Sequence, residues 1–314
     1  MTNKEKYREF CKYEKGIPIF SKDWWLDAVC VDGKWDVALV EKGGEIVASM
    51  PYFIKDDAFF KIISLPILTQ RLGPYIKYPK NQKYHKRLSW EKEIMDSLIE
   101  QIPKFDTFNQ TFDYSITNWL PFYWKGFNAS IRYTYVIEDC SNLDLVWSNF
   151  SAENRAKIKK AKKIVNIEES NDINKFYKMV QLTFNRQNLD VVFDISLLKR
   201  LDRIENKKIL FAIDKDKNIH VGIYIIWDDR SIYLLSSGGD PKLRNSGAKN
   251  LLVWEAINLA KNMGLSFDFE GSMMQNIERY NRSFGAIQKP YFQIYKTTSK
   301  LWKIKSAIDR VIKK

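Results

Sequence analysis

The sequence predicts an α/β (α+β) protein with two copies of one domain in tandem, each a mixed, mostly antiparallel sheet flanked by helices. The first observation is an internal repeat: residues 36–54 align without a gap onto residues 209–227, and each segment reads as strand, polar turn and strand. The second is length, because 314 residues with 45% hydrophobic content can form two cores at roughly 100 to 200 residues per domain.

The repeat continues in the same order further along the chain. Trp90-Glu91 corresponds to Trp254-Glu255, and Phe105-Asp106 corresponds to Phe267-Asp268. Matches that keep their order indicate a repeated structural unit. Residues 123–129 likewise correspond to residues 280–286. The predicted domains are a first domain over 1–150 and a second over 151–299, followed by a basic amphipathic helix over 300–314.

Local signals place the elements of the first copy. Ser21 is predicted to cap a helix that carries Trp24 and Trp25. Gly43-Gly44 suits the tight turn of a two-residue hairpin loop. The remaining expected elements are a strand over 59–68, a helix over 89–102, a strand over 105–112 and, after a helix-like segment, a strand that ends at Ile137.

The second copy follows the same order. Apolar residues at helical spacing predict helices over 173–184 and 196–204. The Gly-rich segment 236–241 is predicted to end a strand that begins at residue 231. The other expected elements are the hairpin 208–227, a strongly apolar helix over 250–263 and a short buried strand over 267–269.

Charge and composition limit the class of protein. The net charge of +13 and the pI near 9.4 are compatible with an anionic partner or with a generally lysine-rich protein. Three cysteines without a CxxC spacing and two histidines disfavour disulfide scaffolds, zinc sites and metalloenzymes. The N-terminus lacks a signal-peptide pattern and no long apolar run occurs, so we expect a cytoplasmic protein.

A basic segment over 154–163 lies between the copies. Ile158, Ala161 and Val165 share one helical face, and lysines occupy much of the rest. The segment is expected to form a helix whose apolar stripe packs against the rest of the protein. Its cationic surface is either a solvated face or a ligand contact.

The segment with most potential chemistry runs from 236 to 250, from a strand end into a helix start. Helix N-termini offer free N–H groups and a positive dipole end, and small residues there let a phosphate approach closely. The predicted phosphate-binding residues are Ser236, Ser237, Gly238, Arg244, Asn245, Ser246, Gly247, Ala248 and Lys249. The alternative is a Gly-rich turn that only reverses the chain.

The order of elements in each copy resembles the GNAT acyltransferase fold. Arg244 and Gly247 match that superfamily's pyrophosphate loop, (Gln/Arg)-x-x-Gly-x-(Gly/Ala), whereas Lys249 stands where Gly or Ala is expected. Tandem copies are similar to the FemAB-like proteins, which include Fem-type peptidyltransferases and acetyltransferase-like relatives. The resemblance covers nearly the whole chain and rests on Arg71-Leu-Gly-Pro74, the basic helix, and the motifs 267–271 and 280–285.

This resemblance implies an N-acyltransferase or aminoacyltransferase. The donor would be acyl-CoA or aminoacyl-tRNA, with no tightly bound cofactor, and the acceptor a small or lipid-linked amine such as a peptidoglycan precursor. The strands before and after the loop would splay to hold the acyl carbonyl. Glu270 would accept the proton of the attacking amine, Tyr280 would protonate the leaving group, and Arg71, Gly73, Arg279 and Arg282 would bind substrate.

Two further interpretations stay open. The chain could be a non-catalytic tandem-GNAT protein that binds RNA, including tRNA, or an anionic glycolipid through its basic surface. Residues 300–314 form a basic amphipathic pattern, which favours either docking on the protein itself or contact with the inner membrane surface.

Overall fold

A computed structural model describes residues 1–312 and confirms the predicted fold class. From the N-terminus the elements are α1 (Asn3–Tyr13), α2 (Asp23–Val29), β1 (Lys34–Lys42), β2 (Glu45–Asp57), β3 (Phe60–Ser64), β4 (Tyr75–Ile76), α3 (Tyr84–Glu100), β5 (Thr107–Thr111), α4 (Leu120–Trp124) and β6 (Asn128–Ile137). They continue with α5 (Leu143–Asn149), α6 (Ala152–Ala161), β7 (Val165–Glu169), α7 (Ile173–Asn185), α8 (Ile195–Leu201), β8 (Lys207–Asp214), β9 (Ile219–Trp227), β10 (Ser231–Gly239), α9 (Ala248–Met263), β11 (Ser266–Asp268), α10 (Gln275–Arg282), β12 (Ile287–Thr297) and α11 (Lys300–Ile312).

The chain divides into two compact units, Met1–Arg132 with Pro290–Lys314, and Tyr133–Lys289. In the first unit β1, β2 and β3 are antiparallel neighbours, β3 is parallel to β5, and β5 is antiparallel to β12. In the second unit β7, β8, β9 and β10 are antiparallel neighbours, β10 is parallel to β11, and β11 is antiparallel to β6. Each unit therefore has a mixed, mostly antiparallel sheet, and β8, β9, β10, β11 and β6 repeat the order of β1, β2, β3, β5 and β12, with β7 as an additional edge strand.

The compact units and the sequence copies have different boundaries. In sequence β6 closes the first copy, yet its residues Val136 and Ile137 pair with β11. In sequence β12 closes the second copy, yet its residues from Gln293 onward pair with β5. Each unit thus takes its last strand from the other copy. The predicted boundary at residue 150 could not show this exchange, because the strands that pair are far apart in the sequence.

One long helix packs against the sheet of each unit. In the first unit α3 buries Ile94, Met95 and Leu98 against strand residues such as Ile63 and Phe108. In the second unit α9 buries a stripe of aliphatic residues that consists of Leu251, Leu252, Val253, Ala256, Ile257 and Ala260. The apolar helix predicted over 250–263 is therefore a core helix, and it begins two residues earlier.

Several local expectations need correction or extension, and one of them is the strand expected over 59–68, which ends at Ser64 as β3. Ser21 is not the cap of α2, because it belongs to a short 3₁₀ turn and Lys22 occupies the cap position. The helix expected from residue 89 begins at Tyr84. The Gly-rich segment does not end β10 at Ser237, since the strand continues through Gly239. Within residues 1–312, none of the helices has the length and hydrophobicity needed to cross a bilayer.

Candidate functional site

β10 is paired along only part of its length with its parallel neighbour. Ser231, Ile232 and Tyr233 pair with β11, and the remaining residues of β10 pair only with β9. The β9 pairing also shifts register between Leu234 and Ser236, which marks a bulge. The C-terminal half of β10 therefore extends beyond its pairing with β11, and the splay of the two strands stays a prediction.

Glycines at the end of β10 allow α7 to lie directly over the strand. A Cβ atom on Gly238 would lie 2.3 Å from the backbone nitrogen of Val180. The Thr183 hydroxyl accepts a hydrogen bond from the Gly239 N–H at 2.9 Å. This close approach explains why a sequence that looks like a turn forms the end of a strand.

The loop after β10 leads into the N-terminus of α9. Its last residue, Gly247, has a φ of 79° and occupies the cap position without a capping side chain of its own, and the Ser246 hydroxyl accepts a hydrogen bond from the Ala248 N–H at 3.3 Å. A Cβ atom on Gly247 would lie 2.4 Å from the carbonyl oxygen of Lys157 in α6. The glycine is thus required both by its left-handed conformation and by the approach of α6.

Hydrogen bonds hold α6 against this loop. Asn250 donates its amide to Asn154 Oδ1 at 2.5 Å, and the Lys160 ammonium donates to the Asn245 carbonyl at 3.0 Å. Ile158 and Ala161 are fully buried, as predicted for the apolar stripe, but Val165 does not belong to it, because α6 ends at Ala161 and Val165 begins β7. Part of the basic segment therefore helps to form the site.

A pocket of about 310 Å³ lies where these elements meet. Its cationic lining residues are Lys157, Arg186, Arg244 and Lys249, and Asp240 is its acidic residue. Lys157 pairs with Glu153 at 2.7 Å. The other lining residues are Thr183, His220, Val221, Ser237, Gly238, Gly239, Pro241, Leu243, Ser246, Ala248, Asn250 and Tyr280. An excess of positive charge beside a helix N-terminus suits an anionic ligand.

Lys249 and Tyr280 form a pair in this pocket. The Lys249 ammonium lies 4.7 Å from the centroid of the Tyr280 ring. Burial lowers the pKa of Lys249 to about 8 and raises the pKa of Tyr280 well above its usual value. Among the described residues, neither the Tyr280 hydroxyl nor the Lys249 ammonium has a hydrogen-bond partner. Tyr280 therefore stays protonated, and Lys249 has no anion to balance its charge.

Glu270 lies just after β11 and outside the lining of the pocket. It is 5% exposed and has a φ of 65°, and its N–H donates to Asp268 Oδ1 at 2.8 Å. Asp268 is fully buried and also accepts from the Thr134 hydroxyl at 2.6 Å. A Cβ atom on the next residue, Gly271, would lie 2.2 Å from the Tyr133 carbonyl oxygen, so the turn is tightly fixed.

The structure brings together part of the predicted set. Ser237, Gly238, Arg244, Ser246, Ala248, Lys249 and Tyr280 line the pocket, whereas Ser236, Asn245, Gly247, Glu270, Arg279 and Arg282 do not. Arg279 and Arg282 are exposed on α10, and Glu278 accepts a hydrogen bond from Arg282 Nε at 2.8 Å. That bond raises the pKa of Arg282.

The predicted substrate residues of the first unit are packed inside it. Arg71 is 3% exposed, with its Nε 4.0 Å from Asp113 Oδ2 and its guanidinium 5.3 Å from the Tyr114 ring centroid. A Cβ atom on Gly73 would lie 2.3 Å from Phe112 Cδ1. These contacts give both residues a role in packing, and substrate binding by them stays a prediction.

Sequence reasoning missed lining residues that come from distant elements. Thr183 and Arg186 belong to the end of α7, and His220 lies near the start of β9. The His220 Nε2 lies 3.2 Å from Asp214 Oδ2. A hydrogen bond from the Asn218 amide, with a further one from His220, lowers the pKa of Asp214 to about 2. Only Lys157 had a signal in the sequence, as a member of the basic segment.

Comparison with solved structures shows the class of fold. FemX matches with a TM-score of 0.68 and 12% identity over 93% of this chain and 96% of its own. L-PGS from Bacillus licheniformis matches with a TM-score of 0.56 and 11% identity over 98% and 96%. The C-terminal domain of a putative lysylphosphatidylglycerol synthetase from Agrobacterium fabrum matches with a TM-score of 0.58 and 10% identity over 98% and 95%.

The chain has the fold of FemX and of the two lysylphosphatidylglycerol synthetase-type structures, and the Fem-type resemblance predicted from its tandem elements is confirmed at the level of the fold. No family model matches the sequence, and comparison with curated proteins gives no match. At these identities the likeness is one of fold, and the chemistry has to be argued from the site itself.

Proposed function

We propose that the protein is an N-acyltransferase that binds a phosphate-bearing acyl donor in the pocket beside β10 and α9. The observation that carries the proposal is that four cationic side chains, one of them paired with Glu153, line a pocket at the N-terminus of α9, where β10 extends beyond its pairing with β11. Backbone N–H groups and cations at such a position stabilise phosphate oxygens. Acyl-CoA is the proposed donor, and aminoacyl-tRNA is the alternative donor.

In the proposed reaction the acceptor nitrogen attacks the acyl carbonyl and the bond from that carbonyl to the leaving group breaks. Glu270, two residues after the end of β11, takes the proton that the amine loses. The protonated Tyr280 hydroxyl is a donor for the leaving atom or the acyl oxygen. The acceptor is a small or lipid-linked amine, and a cell-envelope precursor is the proposed class.

A thermal-shift titration with acetyl-CoA, a longer acyl-CoA and free CoA tests the donor. At a ligand concentration of about 100 times Kd the expected stabilisation is about 2.7 kcal/mol. Arg244→Ala and Lys249→Met should reduce the shift, because both side chains line the pocket. Lys242→Ala is the matched control, because Lys242 is exposed in the same loop outside the lining. A shift that all three variants retain would contradict this donor site.

The second candidate function is binding of RNA or an anionic glycolipid without turnover. The cationic pocket lining favours it, because such a surface attracts polyanions without any catalytic group. Binding that weakens steeply with salt, with no shift from any CoA and no acyl transfer from charged tRNA, would support it. Release of free thiol from acyl-CoA in the presence of an amine would reject it.

A further inference from the structure

The last described helix, α11, is fixed to the first unit by one side. The Trp302 and Phe60 ring centroids lie 5.2 Å apart. Lys305 forms an ion pair with Asp57 and lies 5.7 Å from the Phe60 ring centroid. These contacts set the rotation of the helix about its axis.

Three aliphatic side chains on α11 remain in solvent. Leu301, Ile304 and Ile308 are 64%, 58% and 53% exposed, and their spacing places them in one stripe of the helix. Phe59, in the turn between β2 and β3, is 77% exposed and stacks on Phe60 with 4.6 Å between ring centroids. Phe60 therefore joins the exposed Phe59 to the helix.

Positive charge surrounds this stripe. Lys300 and Lys303 are exposed on α11, whereas Asp309 is the acidic residue among residues 300–309. The whole chain carries a net charge of +13. An apolar stripe bordered by lysines complements a surface that offers both anionic groups and hydrocarbon.

We propose that Leu301, Ile304 and Ile308, with Lys300 and Lys303 beside them and Phe59 at the neighbouring turn, form a docking surface for an anionic lipid bilayer. The helix lies along the interface with its stripe in the acyl boundary, and the lysines contact lipid phosphates. The proposal does not depend on the donor pocket, which lies in the other unit.

Co-sedimentation with vesicles tests the proposal. The full chain should bind vesicles of phosphatidylcholine with phosphatidylglycerol, and binding should be much weaker with phosphatidylcholine alone and at high salt. The triple change Leu301→Ser, Ile304→Ser and Ile308→Ser should lower the partition coefficient by about a hundredfold or more. Lys300→Gln with Lys303→Gln should lower it by roughly thirtyfold.

Matched control variants distinguish vesicle binding by this surface from nonspecific binding through other exposed apolar or charged residues. Leu145→Ser with Leu189→Ser removes two exposed leucines elsewhere, and Lys215→Gln with Lys261→Gln removes two exposed lysines elsewhere. Both controls should bind as the unchanged chain does. Equal loss in controls and stripe variants, or no vesicle binding by the unchanged chain, would overturn the proposal.

The oligomeric state gives a second decisive readout. Sedimentation velocity without lipid should show the same species for the unchanged chain and the stripe variant. A dimer that dissociates in the stripe variant would assign the surface to a second copy of the chain and overturn the bilayer proposal. Unchanged thermal unfolding of the stripe variant shows that it folds, because the altered side chains are exposed.

Discussion

The Lys249 ammonium lies 4.7 Å from the centroid of the Tyr280 ring, in a pocket where no acidic side chain of the described residues pairs with it. A buried cation without a counter-ion costs stability, and a π face returns only part of that cost. A bound anionic ligand would supply the counter-ion that Lys249 lacks in this pocket. Lys249 is also the position where the loop departs from the GNAT pattern, so this departure adds a charge to the pocket.

The pH dependence of stability should report this cost. The pKa of Lys249 is about 8 in the folded chain and about 10.4 when unfolded. The unfolded state therefore holds more protons between these values, and stability gains a contribution as pH rises from about 8 to about 10.4. Lys249→Met should be more stable than the unchanged chain at neutral pH, by at most about 3 kcal/mol.

Urea unfolding of both chains at several pH values measures this difference, which should shrink above pH 8. Lys261→Met is the control, since Lys261 is exposed in the last turn of the same helix. A difference that stays constant from neutral pH to pH 10 would contradict a lowered pKa for Lys249. Addition of a bound phosphate ligand should reduce the difference at neutral pH, because the anion favours the charged lysine.

The two glycines at the ends of α9 should respond unequally to alanine. Gly247 and Gly264 have φ values of 79° and 68°, so alanine is strained at either position. A Cβ atom on Gly264 meets nothing within 4 Å, whereas one on Gly247 overlaps the Lys157 carbonyl. Gly264→Ala should lower the free energy of unfolding by about 1 kcal/mol, and Gly247→Ala by about 3 kcal/mol or more.

Denaturant titrations of the two variants, run under the same conditions, measure this contrast. Equal destabilisation by the two variants would mean that α6 moves away from the added methyl group at little cost, and that α6 does not fix the conformation of the loop. Retained donor binding in Gly264→Ala, with loss in Gly247→Ala, would in addition place the α6 contact next to the bound phosphate.

Glu270→Gln should separate donor binding from turnover. The amide keeps the size of the side chain but cannot take a proton, so catalysis should fall by about 10²- to 10⁴-fold. The acetyl-CoA thermal shift should be unchanged, because Glu270 lies outside the pocket lining. Thiol release in the presence of an amine measures turnover, and Glu255→Gln, an exposed change on α9, is the control. Full activity in Glu270→Gln would exclude Glu270 as the base.

The sequence predicted the loop residues that line the candidate site, but it did not predict the lining residues that come from other elements. Arg244, Ser246 and Lys249 lie in a continuous motif whose glycine and basic residues predict a phosphate loop, and all three line the pocket. Thr183 and His220 reach it from α7 and β9, which no spacing in the sequence connects. Arg71 shows the opposite case: its motif could be recognised, but its burial against Asp113 could not be predicted.

The sequence by itself determined the repeated order of hairpin, strand, loop, helix and strand, because apolar periodicity and turn residues act over a few neighbouring positions. It also determined that a basic helix and a glycine-rich loop exist. Tertiary structure alone decided that β6 pairs with β11 and that β12 pairs with β5. It also decided that β10 continues under α7 and that Lys249 faces Tyr280 without a counter-ion. These outcomes depend on packing between residues far apart in the chain, and that packing is specified by the whole fold rather than by any local pattern.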